Sequence, residues 1–188
     1  TTLFRSKPNN SPEKSVVKSS GKFLDIADTS GLGKFVHTEG GSGRKYFIEQ
    51  MGSGVALLDY DGDGWMDVYF ASGAPLPGYK GEKSSNHLFR NKHDGTFEDV
   101  TEKAGVGCGS YSTGVAVGDF DNDGKPDLYV CGYKENHLFH NNGNGTFTDV
   151  TAQSGIKQEG YWQGVAVGDY DNDGKPDLYI SGYRCCAL

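Results

Sequence analysis

The chain has 188 residues, 29 of them glycine, with 11 tyrosines, 10 phenylalanines and a formal charge of −7. Because glycine weakens helix interiors, this composition points to short, turn-rich β-structure packed by aromatic rings. No apolar run approaches the roughly 20 residues that span a bilayer, which argues against membrane insertion, and no basic patch favours nucleic acid as a partner.

In chain order, Thr1–Lys7 reads like a strand similar to Asn86–Lys92, and the polar Pro/Ser/Lys segment from Pro8 to Ser20 has the composition of a linker. Phe23–Gly31 then matches Phe147–Gly155, so the chain enters on the last strand of a preceding unit. Three units follow. Residues 95–138 align without a gap on 145–188, with 26 of 44 positions identical, a true internal repeat. Each unit runs Gly-Thr-Phe-x-Asp-Val-Thr, Gly-Val-Ala-Val-Gly-Asp, an acidic loop, Pro-Asp-Leu-Tyr and Asn-His-Leu-Phe. The segments are rich in β-branched and aromatic residues and bounded by Gly, Asn or Asp, which predicts strands. Asp94-Gly95 and Asn142-Gly143-Asn144-Gly145 mark tight hairpins. The predicted organisation is residues 1–20 as strand plus linker, 21–94 as repeat 1, 95–144 as repeat 2 and 145–188 as repeat 3, which stops where its third strand begins.

Repeat 1 carries about 14 extra residues around Phe35–Gln50 and about ten around Ala74–Ser84. Such insertions map to loops, either on a binding face or as solvated decoration, the commoner outcome. Gly40–Lys45 lacks the P-loop pattern and its strand-to-helix context.

The acidic loops carry the chemistry. Asp59, Asp61, Asp63 and Asp67 occupy positions 1, 3, 5 and 9 of the first; Asp119, Asp121, Asp123 and Asp127 those of the second; Asp169, Asp171, Asp173 and Asp177 those of the third. Glycine at position 6 permits the bend that converging carboxylates need. Four carboxylates in nine residues call for a hard cation. Ca²⁺, which accepts about six to eight oxygens in a flexible shell, suits them better than Mg²⁺ with its tighter octahedron, and the carbonyls of Trp65, Lys125 and Lys175 at position 7 would add ligands. An EF-hand is excluded, because its position-12 glutamate is replaced by Phe70, Val130 or Ile180 and strands flank the loop. Three ions would bring the net charge to about −1, so the acidity reads as metal sites.

The other chemistry-bearing residues are weaker signals. His87 and His137 occupy equivalent strand positions, which favours a structural role, and no nucleophile–base arrangement stands out. Cys108, Cys131, Cys185 and Cys186 are compatible with an oxidising compartment or with buried thiols. Asn9-Asn10-Ser11 and Asn144-Gly145-Thr146 fit the N-glycosylation sequon.

Gly114–Asp119 leading into Asp121–Leu128, with Gly73-Ala74-Pro75 and Met51–Ala56 in repeat 1, resembles the FG-GAP or VCBS repeat. The fuller run is similar to cartilage-acidic-protein-like secreted proteins and to integrin α-subunit propeller blades. The resemblance implies that each unit is a propeller blade of about four strands, that the loop aspartates bind Ca²⁺, and that the protein is extracellular or at the cell surface, serving adhesion or protein or glycan binding. A closed propeller takes at least about four blades. Three units therefore predict an all-β, open array, or one completed between subunits.

Two functions follow as expectations. One is a non-enzymatic, Ca²⁺-binding structural protein that assembles head to tail into a fibre or ring by strand exchange, since unpaired edges attract strands. The alternative is a fragment of a larger Ca²⁺-dependent adhesion propeller. An enzyme built on the scaffold is the least supported class.

Overall fold

The computed structural model describes residues 4–6, 23–38, 40–41, 43–44, 46–50, 52–80, 84–156 and 160–183. They form an all-β array. A two-stranded ribbon joins β1 (Phe4–Ser6) to β2 (Phe23–Asp25), and a one-turn helix α1 (Ala27–Ser30) follows. The first blade is β3 (Val55–Leu58), β4 (Asp67–Phe70), β5 (His87–Asn91) and β6 (Phe97–Asp99), antiparallel in sequence order. After α2 (Thr101–Ala104), the second blade is β7 (Tyr111–Gly118), β8 (Asp127–Tyr133), β9 (His137–Asn141) and β10 (Phe147–Asp149). The helix α3 (Thr151–Ser154) leads into a hairpin of β11 (Tyr161–Gly168) and β12 (Asp177–Tyr183).

Sequence repeats and sheets are out of phase. The 94/95 boundary falls in the hairpin between β5 and β6, so the first strand of each sequence unit closes one sheet and the rest open the next. The pairing register also recurs: Phe89 opposes Asp99, Phe139 opposes Asp149, and Phe4 opposes Asp25. The β1–β2 ribbon thus has the backbone register of the outer half of a blade.

The helices following β2, β6 and β10 were not legible as helices, being one turn long. Asp99 Oδ1 accepts the Thr101 N–H at 3.0 Å, while Thr101 Oγ1 accepts the Leu88 N–H at 2.9 Å, so an Asp-Val-Thr step ties the end of the outermost strand to its neighbour. Asp149 and Thr151 repeat the arrangement. The histidines take part, with His87 Nδ1 lying 2.7 Å from Asp99 Oδ2 and His137 Nδ1 2.9 Å from Asp149 Oδ2.

The inner strands β3, β7 and β11 lie side by side. Glycine makes this approach possible: a Cβ on Gly54 would stand 2.9 Å from the Val115 nitrogen, and one on Gly114 2.7 Å from the Gln163 carbonyl oxygen. The main core fills the space between the blades, with Leu58, Tyr60, Tyr69 and Leu88 of the first packed against Val106, Leu128, Val130, Phe139 and Phe147 of the second. Cys108 and Cys131 are buried free thiols in this region, whereas Cys185 and Cys186 lie outside the described residues. So do the Asn9-Asn10-Ser11 sequon and the linker from Pro8 to Ser20.

The insertions of repeat 1 are more than solvated decoration. Ile48 from the first and Ala74 from the second are buried with Tyr111 and Tyr161, and the Tyr111 hydroxyl donates to the Ile48 carbonyl at 2.9 Å. They therefore cover the ends of β7 and β11.

Candidate metal centre

Each acidic loop joins the two inner strands of a blade, and its backbone is organised by its own carboxylates. In the first, Asp59 Oδ1 accepts the Asp63 N–H at 3.0 Å and Oδ2 the Gly64 N–H at 2.8 Å, while Asp63 Oδ1 accepts the Trp65 N–H at 2.9 Å. Asp67 Oδ2 closes the loop by accepting the Tyr60 N–H at 3.1 Å. Asp119, Asp123 and Asp127 repeat this in the second loop, and Asp169, Asp173 and Asp177 in the third. Position 6 has φ near +86° in Gly64, Gly124 and Gly174, the left-handed region that glycine enters without strain. Position 4 is also left-handed, and is filled by Gly62, Asn122 and Asn172.

The result is a convergence of oxygens. Asp59, Asp61 and Asp67 bring one carboxylate oxygen each within 4.8 Å of the others, as do Asp119, Asp121 and Asp127, and Asp169, Asp171 and Asp177. Positions 1, 3 and 9 thus form three equivalent clusters that could hold a metal ion. Position 5 stands differently. The Oδ2 of Asp63 faces Arg90 and His93, the Oδ2 of Asp123 pairs with Lys125 Nζ, and Asp123 also groups with Asp121 and His140. Trp65, Lys125 and Lys175 each donate a backbone N–H to the position-5 carboxylate.

The electrostatics fit a hard cation. Asp67 is fully buried and Asp127 nearly so. Burial, reinforced by the charges of Asp61 and Asp63, pushes the Asp67 carboxyl up to about 6, and burial likewise raises Asp127. In the same cluster Asp61 Oδ1 is inaccessible to solvent and has no hydrogen-bond partner among the described residues. A buried carboxylate oxygen left in this state is costly unless a cation takes it, and an all-oxygen donor set is what Ca²⁺ prefers. When bound, such an ion would supply charge neutralisation; the side chains of positions 1, 3 and 9 would hold it.

Several contributors were not foreseen from the sequence. The N–H groups of Asn91 and Asn141 reach Asp67 Oδ1 and Asp127 Oδ1 at 2.8 and 2.7 Å, so the third strand of each blade steadies the position-9 carboxylate. Arg90 and His140 occupy the same place in the repeat, one residue earlier, and both face their loops. Their common place in the Leu-Phe-x-Asn run, one residue before Asn91 and Asn141, was the available signal. The loops also bridge blades: Asn141 Nδ2 donates to the Tyr60 carbonyl at 2.9 Å and Tyr60 stacks near Phe147.

Among known proteins, residues 59–130 and again 119–180 match the FG-GAP-like repeat, so the two matches together run from the first acidic loop through the third. A stretch of 48 residues is 46% identical to cartilage acidic protein 1 of Xenopus tropicalis, covering 25% of this chain and 7% of that relative.

Proposed function

As the chain belongs to the FG-GAP-like repeat family, we propose that it is an extracellular, non-catalytic structural protein in which one Ca²⁺ per repeat stiffens the joint between blades and the blades assemble head to tail into a fibre or ring. The observation that carries the calcium reading is the threefold recurrence of converging carboxylates at positions 1, 3 and 9. Tyr60 and Asn141 bridging the first loop to the second blade support a role at the joint.

Assembly is supported by the two faces of the array. Val55 and Leu57 of β3 are 56% and 60% exposed, although their counterparts Val115 and Val117 pack partly into the core. Tyr179 of β12 is 74% exposed at the opposite end. Asp177 Oδ1 meets no third-strand N–H among the described residues, whereas Asp67 and Asp127 each have one. A ribbon with the register of β1–β2, contributed by a second copy, would complete β12 by strand addition and bury both faces. His87 and His137 are held by Asp99 and Asp149 within their blades, which supports a structural role for them and a chain suited to adhesion or to protein or glycan binding.

A second reading has its own support. The matched stretch is a small fraction of the Xenopus relative, so the completing strands could belong to one longer propeller of an adhesion protein. Sedimentation of the chain with Ca²⁺ and after chelation, with intact mass of native material, separates the readings. Concentration-dependent oligomers that dissociate on chelation support self-assembly; a Ca²⁺-replete monomer from a native chain of much larger mass supports the propeller. A melting temperature unmoved by chelation overturns the calcium reading that both share, because an ion at 100 times its Kd should contribute about 2.7 kcal/mol.

A further inference from the structure

Loop 1 differs from the other two in what already neutralises it. The Arg90 guanidinium forks across it, with Nε 2.6 Å from Asp61 Oδ2 and an NH2 nitrogen 3.1 Å from Asp63 Oδ2. His93 Nε2 adds a contact at 2.7 Å to Asp63 Oδ2, and the Trp65 ring stacks on His93 with centroids 4.9 Å apart. In loop 2 the equivalent of Arg90 is His140, 3.1 Å from Asp121 Oδ2, the equivalent of His93 is Gly143, and Lys125 reaches Asp123 from within the loop. In loop 3 no basic side chain pairs with the aspartates among the described residues.

Resting on the reading of the loops as calcium sites, we propose that Arg90 is a built-in competitor for loop 1, so that loops 2 and 3 fill first and loop 1 fills only at higher calcium. Guanidinium cannot shed its proton in a protein. A divalent ion can therefore use Asp61 only by displacing a permanent positive charge that already bridges two of the loop's carboxylates, whereas in loop 2 the lysine that reaches Asp123 can swing away on its flexible stem. Loop 1 is then ordered without an ion, and the array answers calcium in two stages.

Trp65 stands inside loop 1 and the chain has two tryptophans, so Trp162→Phe leaves a reporter confined to that loop. Terbium(III), an oxygen-seeking probe of calcium sites, is titrated into this variant and its Trp65-sensitised emission recorded, while calorimetry with Ca²⁺ follows all sites of the full chain. The expected result is emission that rises only after the tighter sites have filled, with Arg90→Gln moving its midpoint to about tenfold lower cation. The reciprocal His140→Arg should split a weak site from the tight phase without moving the Trp65 signal. Emission that rises with the tight phase, or an Arg90→Gln midpoint that does not move, overturns the proposal while leaving calcium binding intact. Absence of heat at every loop overturns the calcium reading and this proposal together.

Discussion

Strands β8 and β12 read Asp-Leu-Tyr-Val-Cys-Gly-Tyr and Asp-Leu-Tyr-Ile-Ser-Gly-Tyr, yet one lies inside the array and the other on its flank. Tyr129 is fully buried, with Leu128 and Val130 beside it, while Tyr179 is 74% exposed and Leu178 and Ile180 are only half-buried. The backbone conformation and the pairing to the preceding strand are the same in both. What differs is the neighbourhood: β8 has β7 and β9 on its edges and the first blade's face against it, and β12 has β11 alone among the described strands. A propeller-blade strand thus encodes an apolar surface but not its burial, which the adjacent blade supplies.

The sharpest way to break this comparison is to truncate both tyrosines. In dilute, calcium-replete protein, Tyr129→Ala should cost about 3–5 kcal/mol in urea unfolding, the range for removing a buried aromatic side chain, while Tyr179→Ala should stay within about 0.5 kcal/mol. Equal costs would mean that β12 is covered in solution. A Tyr179→Ala cost that grows with protein concentration would place a second copy on it.

A smaller effect separates the enclosed loops from the open end by pH. Burial raises Asp67 to about 6 against an ordinary carboxylate value of 3.8, so between those values the folded, ion-free state holds a proton that the unfolded chain releases. That contribution is fully present below pH 3.8 and lost as pH rises through 6. Asp127 acts in the same direction. Asp63, Asp99 and Asp149 are held low, their partial burial outweighed by hydrogen bonds from His93, from Thr101, and from Thr151 with His137, so their contribution is lost only as pH falls below the usual carboxylate range. Metal-free protein should therefore lose on the order of 1–2 kcal/mol between pH 4.5 and 7. If the loops hold Ca²⁺ as proposed, adding it should reverse the slope, because an ion would bind only the ionised carboxylates. Thermal melts in chelator and in calcium check both signs.

Much of this architecture was legible because it repeats. The glycine–aspartate spacing placed the loops, the short β-branched and aromatic runs bounded by Gly, Asn or Asp placed the inner strands, and both read correctly from a few residues of pattern. The one-turn helices α1–α3 were not legible, since four residues carry no 3.6-residue period and Asp-Val-Thr looks like the end of a strand. Nor were Arg90, His93 and His140 as neighbours of the loops. Arg90 and His93 lie 27 to 30 residues beyond the aspartates they touch, and only the hairpin register of β4 and β5, like that of β8 and β9 for His140, folds them back. The burial of Ile48 and Ala74 was hidden for the same reason: each insertion looks polar and loop-like alone, and its partner is Tyr111 of the next blade.

The smallest predicted effect compares two tyrosines that the repeat makes equivalent and the blades do not. The Tyr69 hydroxyl donates to the Val106 carbonyl at 3.0 Å across the joint between blades. The Tyr129 hydroxyl is equally inaccessible but has no partner among the described residues, and burial pushes its proton affinity far up. Tyr69→Phe removes a donor and strands a buried carbonyl, which should cost about 1 kcal/mol. Tyr129→Phe removes an unsatisfied hydroxyl and keeps the ring, so stability should hold or rise slightly. Urea midpoints of the two variants against the parent decide. A loss at Tyr129→Phe matching that at Tyr69→Phe would mean that its hydroxyl finds in solution the partner Tyr69 has, and that the second joint is closed as firmly as the first.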